Sequence, residues 1–194
     1  MVIGLMGGIG SGKSTVLNYL EKNYNAHIIQ SDHVAKEIML PGHRVFEKIS
    51  KIFPEVIVDG NINSRIMSEI VFHDKEKLNM LNSITHPETI REIIHRIEQS
   101  NSNIIVVESA LLMNSGLESY IDEIWYVFCE TEKRISRLIN NRGYTREKAL
   151  DIITNQPSDE DYNRCADEFI DNSYSVEKTQ EQIDLLLSMM PCCF

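Results

Sequence analysis

The strongest constraint on the fold is the stretch Gly7–Thr15, which reads Gly-Gly-Ile-Gly-Ser-Gly-Lys-Ser-Thr. It fits the phosphate-binding pattern Gly-x-x-x-x-Gly-Lys-Ser/Thr at every constrained position. A short apolar run, Val2–Met6, precedes it and predicts a buried strand, while helical spacing from Lys13 to Asn23 follows it. Glycines let backbone N–H groups turn toward a phosphate, and the helix start adds the positive end of its dipole. The sequence therefore predicts a nucleotide-phosphate site.

Each residue type in this loop has an expected role. Lys13 is predicted to reach the β- and γ-phosphates and to take part in catalysis, and Ser14 is predicted to ligate Mg²⁺. Thr15 is predicted to lie on the α-phosphate side. The residues predicted to bind ATP are Gly8, Ile9, Gly10, Ser11, Gly12, Lys13, Ser14 and Thr15.

The order of apolar patterns along the chain predicts an α/β fold of the P-loop NTPase type, with three layers and a parallel sheet. We expect one domain over residues 1–194. Its predicted subregions are a nucleotide-binding core (1–31, 101–133 and 167–194), a helical acceptor-binding insertion (32–100) and a helical lid (134–166). Within the insertion, the position of His86 before Pro87 is typical of a helix boundary.

Composition limits the partners. The net charge is −10, with 19 Lys and Arg against 29 Asp and Glu, so a general nucleic-acid or acidic-membrane binder is not expected. The four cysteines (129, 165, 192 and 193) show no zinc-ligand spacing and are interpreted as incidental thiols. No signal peptide or membrane span is apparent. We expect a cytosolic monomer or weak homo-oligomer.

The loop alone leaves three functions open. A GTPase is disfavoured because no base-reading Asn-Lys-x-Asp sequence occurs. A kinase of a small metabolite, such as a nucleoside monophosphate, suits the chain length. A regulatory nucleotide-binding protein that does not phosphorylate a small molecule is the other alternative, and such a switch does not need a carboxylate facing an acceptor hydroxyl.

Two carboxylates follow predicted strands. Asp32 comes just after the apolar run Ala26–Gln30, at the sheet edge where ligands bind in open α/β sheets. It can take the proton of an acceptor hydroxyl, or it can simply cap the following helix. Glu108 closes the strand Ile104–Glu108 and is predicted to act as a second-shell group for Mg²⁺; the alternative is a solvated strand end.

Arginines concentrate in one helical region and the loop after it. They are Arg134, Arg137, Arg142 and Arg146. An arginine-bearing segment over the γ-phosphate neutralises charge in the transition state, so Arg137 and Arg142 are predicted to be catalytic. The alternative is a solvated helix paired with neighbouring glutamates.

In these features, taken in order, the chain resembles the dephospho-coenzyme A kinase family over nearly its whole length. The matching segments are Gly4–Thr15, Ser31–Lys36, Pro41-Gly42, Arg65, Val71-Phe72, His86-Pro87, Glu108–Leu112, Arg137-Leu138, Gly143, Thr145, Gln156, Ala166-Asp167 and Asn172.

The resemblance implies phosphorylation of the ribose 3′-hydroxyl of dephospho-CoA by ATP with Mg²⁺, the last step of coenzyme A biosynthesis. It implies that Asp32 is the general base and binds substrate. Arg65, His86 and Leu111 are the other implied substrate-binding residues. The sequence departs from the family pattern at Gln30, Ala110, Asn114 and Asn141-Arg142.

Overall fold

A computed structural model describes residues 1–109, 112 and 116–190. The chain divides into two compact units. The first joins Met1–Ile28 to Ser100–Phe194, and the second is Ile29–Gln99.

The strands, in chain order, are β1 (Val2–Met6), β2 (His27–Gln30), β3 (Ile57–Val58), β4 (Asn61–Ile62), β5 (Ile105–Glu108), β6 (Glu123–Phe128) and β7 (Glu168–Asp171). The helices are α1 (Lys13–Tyr24), α2 (Ser31–Ile38), α3 (Arg44–Ile52), α4 (Ser64–Phe72), α5 (Lys75–Gln99), α6 (Thr131–Arg142), α7 (Arg146–Thr154), α8 (Asp159–Cys165) and α9 (Val176–Met189). Short 3₁₀ turns cover Pro54–Val56 and Leu117–Tyr120.

The main sheet has the strand order β2-β5-β1-β6-β7. Strand β1 is parallel to both β5 and β6, and β6 is parallel to β7. Leu5 pairs with Glu108 and with Trp125, so the end of β5 lies beside the end of β1. The predicted α/β fold with a parallel sheet is confirmed, and the phosphate loop leaves the central strand.

One face of this sheet carries the largest apolar cluster of the first unit. Residues two apart on each strand point to the same face, so Ile3 and Leu5 pack with Val106, Trp125 and Val127. Helices α1 and α9 cover them with Val16, Leu17, Leu20, Ile183 and Leu187. Since this packing fixes the start of α1 against the sheet, it also fixes the loop that ends there.

Helix α5 is the centre of the second unit, and α2, α3 and α4 all pack against it. Strands β3 and β4 form an antiparallel pair joined by Asp59-Gly60. The sequence does not predict this hairpin, because two-residue strands are too short to show alternation.

The helix boundary predicted at His86-Pro87 is wrong. Pro87 lies inside α5, which continues to Gln99. Proline lacks the N–H that would bond the Ser83 carbonyl, but the flanking Ile84 and Ile93 are buried. The packing of these flanking side chains therefore outweighs the local preference of the X-Pro pair.

Some predictions concern what the chain lacks. Among the described helices, none is both long and apolar enough to cross a membrane. In the same residues no group of three or more His, Cys, Asp or Glu side chains is placed to hold a metal. Cys129 and Cys165 are free thiols, whereas Cys192 and Cys193 lie outside the described residues. Location and oligomeric state stay predictions.

Candidate active site

The loop after β1 has the backbone of an anion-binding nest. Gly10 (φ 76°) and Gly12 (φ 94°) adopt left-handed conformations on either side of Ser11. Such alternation turns successive N–H groups toward one concave side. Helix α1 begins at Lys13, so its positive dipole end points into the same concavity.

Lys13 is held by two oxygen groups. Its Nζ donates to the Gly7 carbonyl at 2.9 Å and pairs with Glu108 Oε1 at 3.5 Å. Both side chains of the pair are about a fifth exposed (21% and 23%). The structure therefore brings together the lysine predicted to bind phosphates and the carboxylate predicted to act on Mg²⁺.

Arg134 lies behind the first half of the loop. It is almost fully buried, donates from Nε to the Ile9 carbonyl (2.9 Å) and donates from Nη2 to Gln156 Oε1 (2.8 Å). The same Gln156 oxygen accepts the Ile9 N–H at 2.8 Å. The peptide groups on both sides of Ile9 are thus held by side chains from α6 and from the segment after α7.

Arg137 holds the second half of the loop. Its Nη1 donates to the carbonyls of Ser11 (3.0 Å) and Gly10 (3.3 Å), and its Nη2 donates to the Asn172 carbonyl (2.8 Å). The guanidinium thus bonds backbone carbonyls, and it does not pair with a neighbouring glutamate among the described residues. A direct contact with the γ-phosphate is not tested by these bonds.

The other two arginines of this region are exposed. Arg142 is the last residue of α6, and its side chain has no hydrogen bond or ion pair among the described residues. Arg146 makes a bidentate pair with Glu132 (2.7 and 2.9 Å). This pair lowers the pKa of the Glu132 carboxyl. The solvated-helix alternative therefore describes Arg146, while Arg142 stays available to a ligand.

An apolar cluster connects the loop with the predicted lid. Ile135, Leu138 and Ala149 of α6 and α7 form a small core, and Ile9 packs against it. Thr145 caps α7, with its hydroxyl accepting the Lys148 N–H. The lid helices therefore contact the phosphate loop through Ile9.

The side chains beside the loop that could bind a metal ion carry oxygen atoms. Ser14 lies exposed in the first turn of α1, and its hydroxyl has no bond within the described part of the chain. Glu108 ends the strand next to β1. Mg²⁺ prefers oxygen ligands, keeps several waters and binds through few carboxylates plus substrate phosphates, so this donor set fits it.

Asp32 lies in the first turn of α2, directly after β2. The helix begins at Ser31, and no side-chain capping bond occurs at its start. The Asp32 side chain is exposed, and its carboxylate has no hydrogen bond or ion pair with the described residues. The capping alternative is therefore not supported, and the carboxylate is available to a substrate.

Two of the remaining predicted substrate residues, Arg65 and His86, lie on helices that pack together. Arg65 is near the start of α4, mostly exposed, and pairs with Glu69 at 3.1 Å. His86 is half-buried in the middle of α5. Leu111 lies outside the described residues, as do Ala110 and Asn114.

The Cys129 thiol is not activated as a nucleophile. Cys129 follows β6, and burial raises the pKa of its thiol more than the nearby Arg137 lowers it. A raised pKa keeps the thiol neutral and weakly nucleophilic.

Sequence reasoning gave no role to Gln156 and Asn172, although both touch the loop. Asn172 is buried and donates from Nδ2 to the Ser11 carbonyl at 2.7 Å. Each bond spans about three quarters of the chain or more, and no local pattern reports contacts at such separation.

The phosphate loop follows the central parallel strand, and the lysine of the loop faces a carboxylate on the next strand. These two features define a P-loop protein that acts on nucleotide phosphates.

Comparison with known proteins shows to which family of P-loop proteins the chain belongs. A sequence model described as dephospho-CoA kinase matches residues 1–178. The chain is 41% identical over 191 residues to the dephospho-CoA kinase of Carboxydothermus hydrogenoformans, covering 96% of this chain and 92% of that protein. Over 187 residues it is 37% identical to the dephospho-CoA kinase of Fusobacterium nucleatum, covering 95% of each. The chain therefore belongs to the dephospho-CoA kinase family, and it is an ATP-dependent phosphotransferase.

A solved structure has a similar fold. The crystal structure of TT1252 from Thermus thermophilus matches with a TM-score of 0.83 at 27% identity, covering 98% of this chain and 97% of that one. The match covers nearly all of both chains, so it supports the fold as a whole.

Proposed function

We propose that the chain transfers the γ-phosphoryl group of ATP to the ribose 3′-hydroxyl of dephospho-CoA, with Asp32 as the general base. The Asp32 carboxylate takes the hydroxyl proton while the hydroxyl oxygen bonds to the γ-phosphorus. The bond from that phosphorus to the β–γ bridging oxygen breaks, and ADP leaves. Loop N–H groups and Lys13 hold the phosphates.

The observation that carries this proposal is the state of the Asp32 side chain. It follows a strand of the sheet that holds the phosphate loop, and none of its hydrogen-bonding capacity is used by the described residues. An exposed carboxylate at the start of a helix destabilises the fold little, but this one makes no hydrogen bond that stabilises the described structure. A role toward an acceptor hydroxyl gives it a use.

Asp32→Asn tests the role directly. Loss of a general base typically costs about 10²- to 10⁴-fold in rate, so kcat should fall in that range with dephospho-CoA. ATP affinity, measured by calorimetric titration, should stay within about twofold because the loop is untouched. The acceptor panel is dephospho-CoA, nucleoside monophosphates and no acceptor, with ADP release as the readout.

Asp74→Asn is the matched control. Asp74 caps α5 by accepting the N–H groups of Glu76 (3.0 Å) and Lys77 (3.1 Å), and asparagine keeps that ability. It should leave kcat unchanged. Equal rates with every acceptor would refute the acceptor assignment. A fall in thermal stability of Asp32→Asn without a fall in kcat would instead assign Asp32 a structural role.

The finer roles at the phosphates are also proposals. Mg²⁺ would be held by the Ser14 hydroxyl and, through water, by Glu108. When bound, it would supply positive charge that stabilises the phosphate groups. We propose that Arg142, which is free of partners in the described residues, meets the γ-phosphate, and that Arg137 contributes by holding the loop.

Two of the three residues proposed to bind the acceptor lie in the second unit. Arg65, His86 and Leu111 are the proposed contacts. Arg65 is held only by an exposed i,i+4 pair, which is worth a few tenths of a kcal/mol, about 0.3–0.5. An anionic group of the acceptor can therefore compete for it at little cost.

A further inference from the structure

The shape of the phosphate loop depends on two residues near the end of the chain. Asn172, in the connection between β7 and α9, is 3% exposed and donates from Nδ2 to the Ser11 carbonyl (2.7 Å). Its Oδ1 accepts the hydroxyl of Thr179 (2.8 Å), which is fully buried in α9. We infer that Asn172 and Thr179 are positioning residues that preorganise the loop for the triphosphate.

The first step of the argument is the orientation of one peptide group. The Ser11 carbonyl accepts from Asn172 Nδ2 and from Arg137 Nη1 (3.0 Å), so it is fixed toward that side. The peptide bond to Gly12 is planar and trans, so the Gly12 N–H points the opposite way. That direction is the concave side of the nest.

The donors on the concave side are unused. Within the described chain, the N–H groups of Gly12 and Lys13 bond no acceptor. An unpaired N–H is costly unless water or a ligand takes it. A phosphate oxygen satisfies both groups, provided that the Ser11 carbonyl does not rotate.

The second step is the orientation of the Asn172 amide. A carbonyl oxygen only accepts, so Nδ2 must face Ser11, which leaves Oδ1 facing the Thr179 hydroxyl. That hydroxyl donates to Oδ1 at 2.8 Å, with the Ser175 carbonyl as a second and longer acceptor at 3.3 Å, and so holds the amide in this orientation. Without it, a rotated amide places its oxygen against the Ser11 carbonyl oxygen, and the two repel.

The loop also lies directly against the amide. A Cβ at Gly12 would collide with the Asn172 amide nitrogen, so glycine is needed there for contact as well as for its positive φ. Little space is left for the loop to shift if the amide turns.

The test compares Thr179→Val with Thr179→Ser. Valine has nearly the same shape as threonine but no hydroxyl, whereas serine keeps the donor. Loss of one buried, orienting hydrogen bond corresponds to about a 5- to 30-fold change. The Kd for ATP by calorimetry and the KM for ATP should both rise by that factor in Thr179→Val, with a smaller change in kcat. Thr179→Ser should stay within about twofold.

Thr89→Val is the matched control. Thr89 is 2% exposed, and among the described residues its hydroxyl bonds only the Thr85 carbonyl within α5 (2.8 Å). It should lower the Tm without changing the Kd for ATP. A purely structural role of Thr179 predicts the same result for Thr179→Val, and that outcome would overturn the inference.

A spectroscopic readout keeps the test decisive if Thr179→Val is poorly stable. In ¹⁵N-labelled protein without nucleotide, the amide signals of Gly12 and Lys13 should shift or broaden in Thr179→Val and in Asn172→Ala, but not in Thr89→Val. Unchanged signals contradict the inference. The inference rests on the proposed function only because ATP is the ligand that is measured. If the wild-type protein bound no ATP, that result would contradict the proposed function and not the inference.

Discussion

The contact between Lys13 and Glu108 leads to a prediction whose sign depends on magnesium. In the structure without ligand the carboxylate neutralises the lysine at 3.5 Å. When Lys13 donates to a phosphate oxygen at about 2.8 Å, the carboxylate lies at most about 6 Å from that oxygen. Glu108→Gln removes this negative charge and keeps the shape of the side chain.

The magnitude follows from Coulomb's law. Two like charges about 6 Å apart repel by about 0.7 kcal/mol at a dielectric constant of 80 and about 2.8 kcal/mol at 20. The pair is about a fifth exposed, so the effective value lies between these limits. Glu108→Gln should therefore tighten the binding of metal-free ATP by about 3- to 100-fold.

Magnesium reverses the expected sign. If Glu108 orients a water on the bound ion, its loss should cost about 10- to 100-fold in Mg·ATP affinity or activity. The assay is calorimetric titration of ATP in EDTA and again in excess Mg²⁺. Glu168→Gln is the control, because strands β1 and β6 lie between β5, which ends at Glu108, and β7, which begins at Glu168.

Two outcomes refute the reasoning. An equal change of ATP affinity with and without Mg²⁺ shows that Glu108 acts only through Lys13 and not on the metal. Identical behaviour of Glu108→Gln and Glu168→Gln shows a general charge effect of this acidic protein.

Two other predictions follow from single contacts. Lys13→Ala should lower kcat/KM for ATP by at least about 10²-fold, as for loss of a transition-state donor, with little change in Tm by calorimetry; retained turnover contradicts the role of Lys13. Burial and the hydrogen bond to Asp159 raise the pKa of the Tyr126 phenol above its ordinary value of about 10. The stability of the neutral phenol is therefore complete below about pH 10 and is lost as the pH rises, so Tyr126→Phe should flatten the fall in Tm between about pH 9.5 and 11. Tyr120→Phe, at an exposed position, is the control, and an unchanged slope in Tyr126→Phe contradicts the assignment.

The sequence predicted the parts of the site that are contiguous or follow strand ends. The phosphate loop is specified within Gly7–Thr15, and Glu108 follows from a four-residue apolar run. Such features depend on local geometry, which a single sequence displays.

The residues behind the loop could not be predicted in their roles. Gln156 reaches Ile9 and Asn172 reaches Ser11 only because β1, β6 and β7 lie side by side in the sheet. Strand order depends on the packing of whole helices against the sheet, and a polar side chain gives no local sign of it. The same reason explains Pro87, whose helix is set by the buried neighbours on α5.

The charge balance of the chain gains a physical explanation from these contacts. A protein of net charge −10 that binds triphosphate must concentrate its cations, and the sequence indicated the arginines of α6 for this purpose. Arg134 and Arg137 do lie at the loop, but their N–H groups bond its carbonyls. Each such bond fixes the carbonyl end of a peptide plane and so directs the N–H end toward the phosphate. Two arginines behind the loop therefore raise the positive potential of the nest and set the direction of its donors, without needing to touch the ligand.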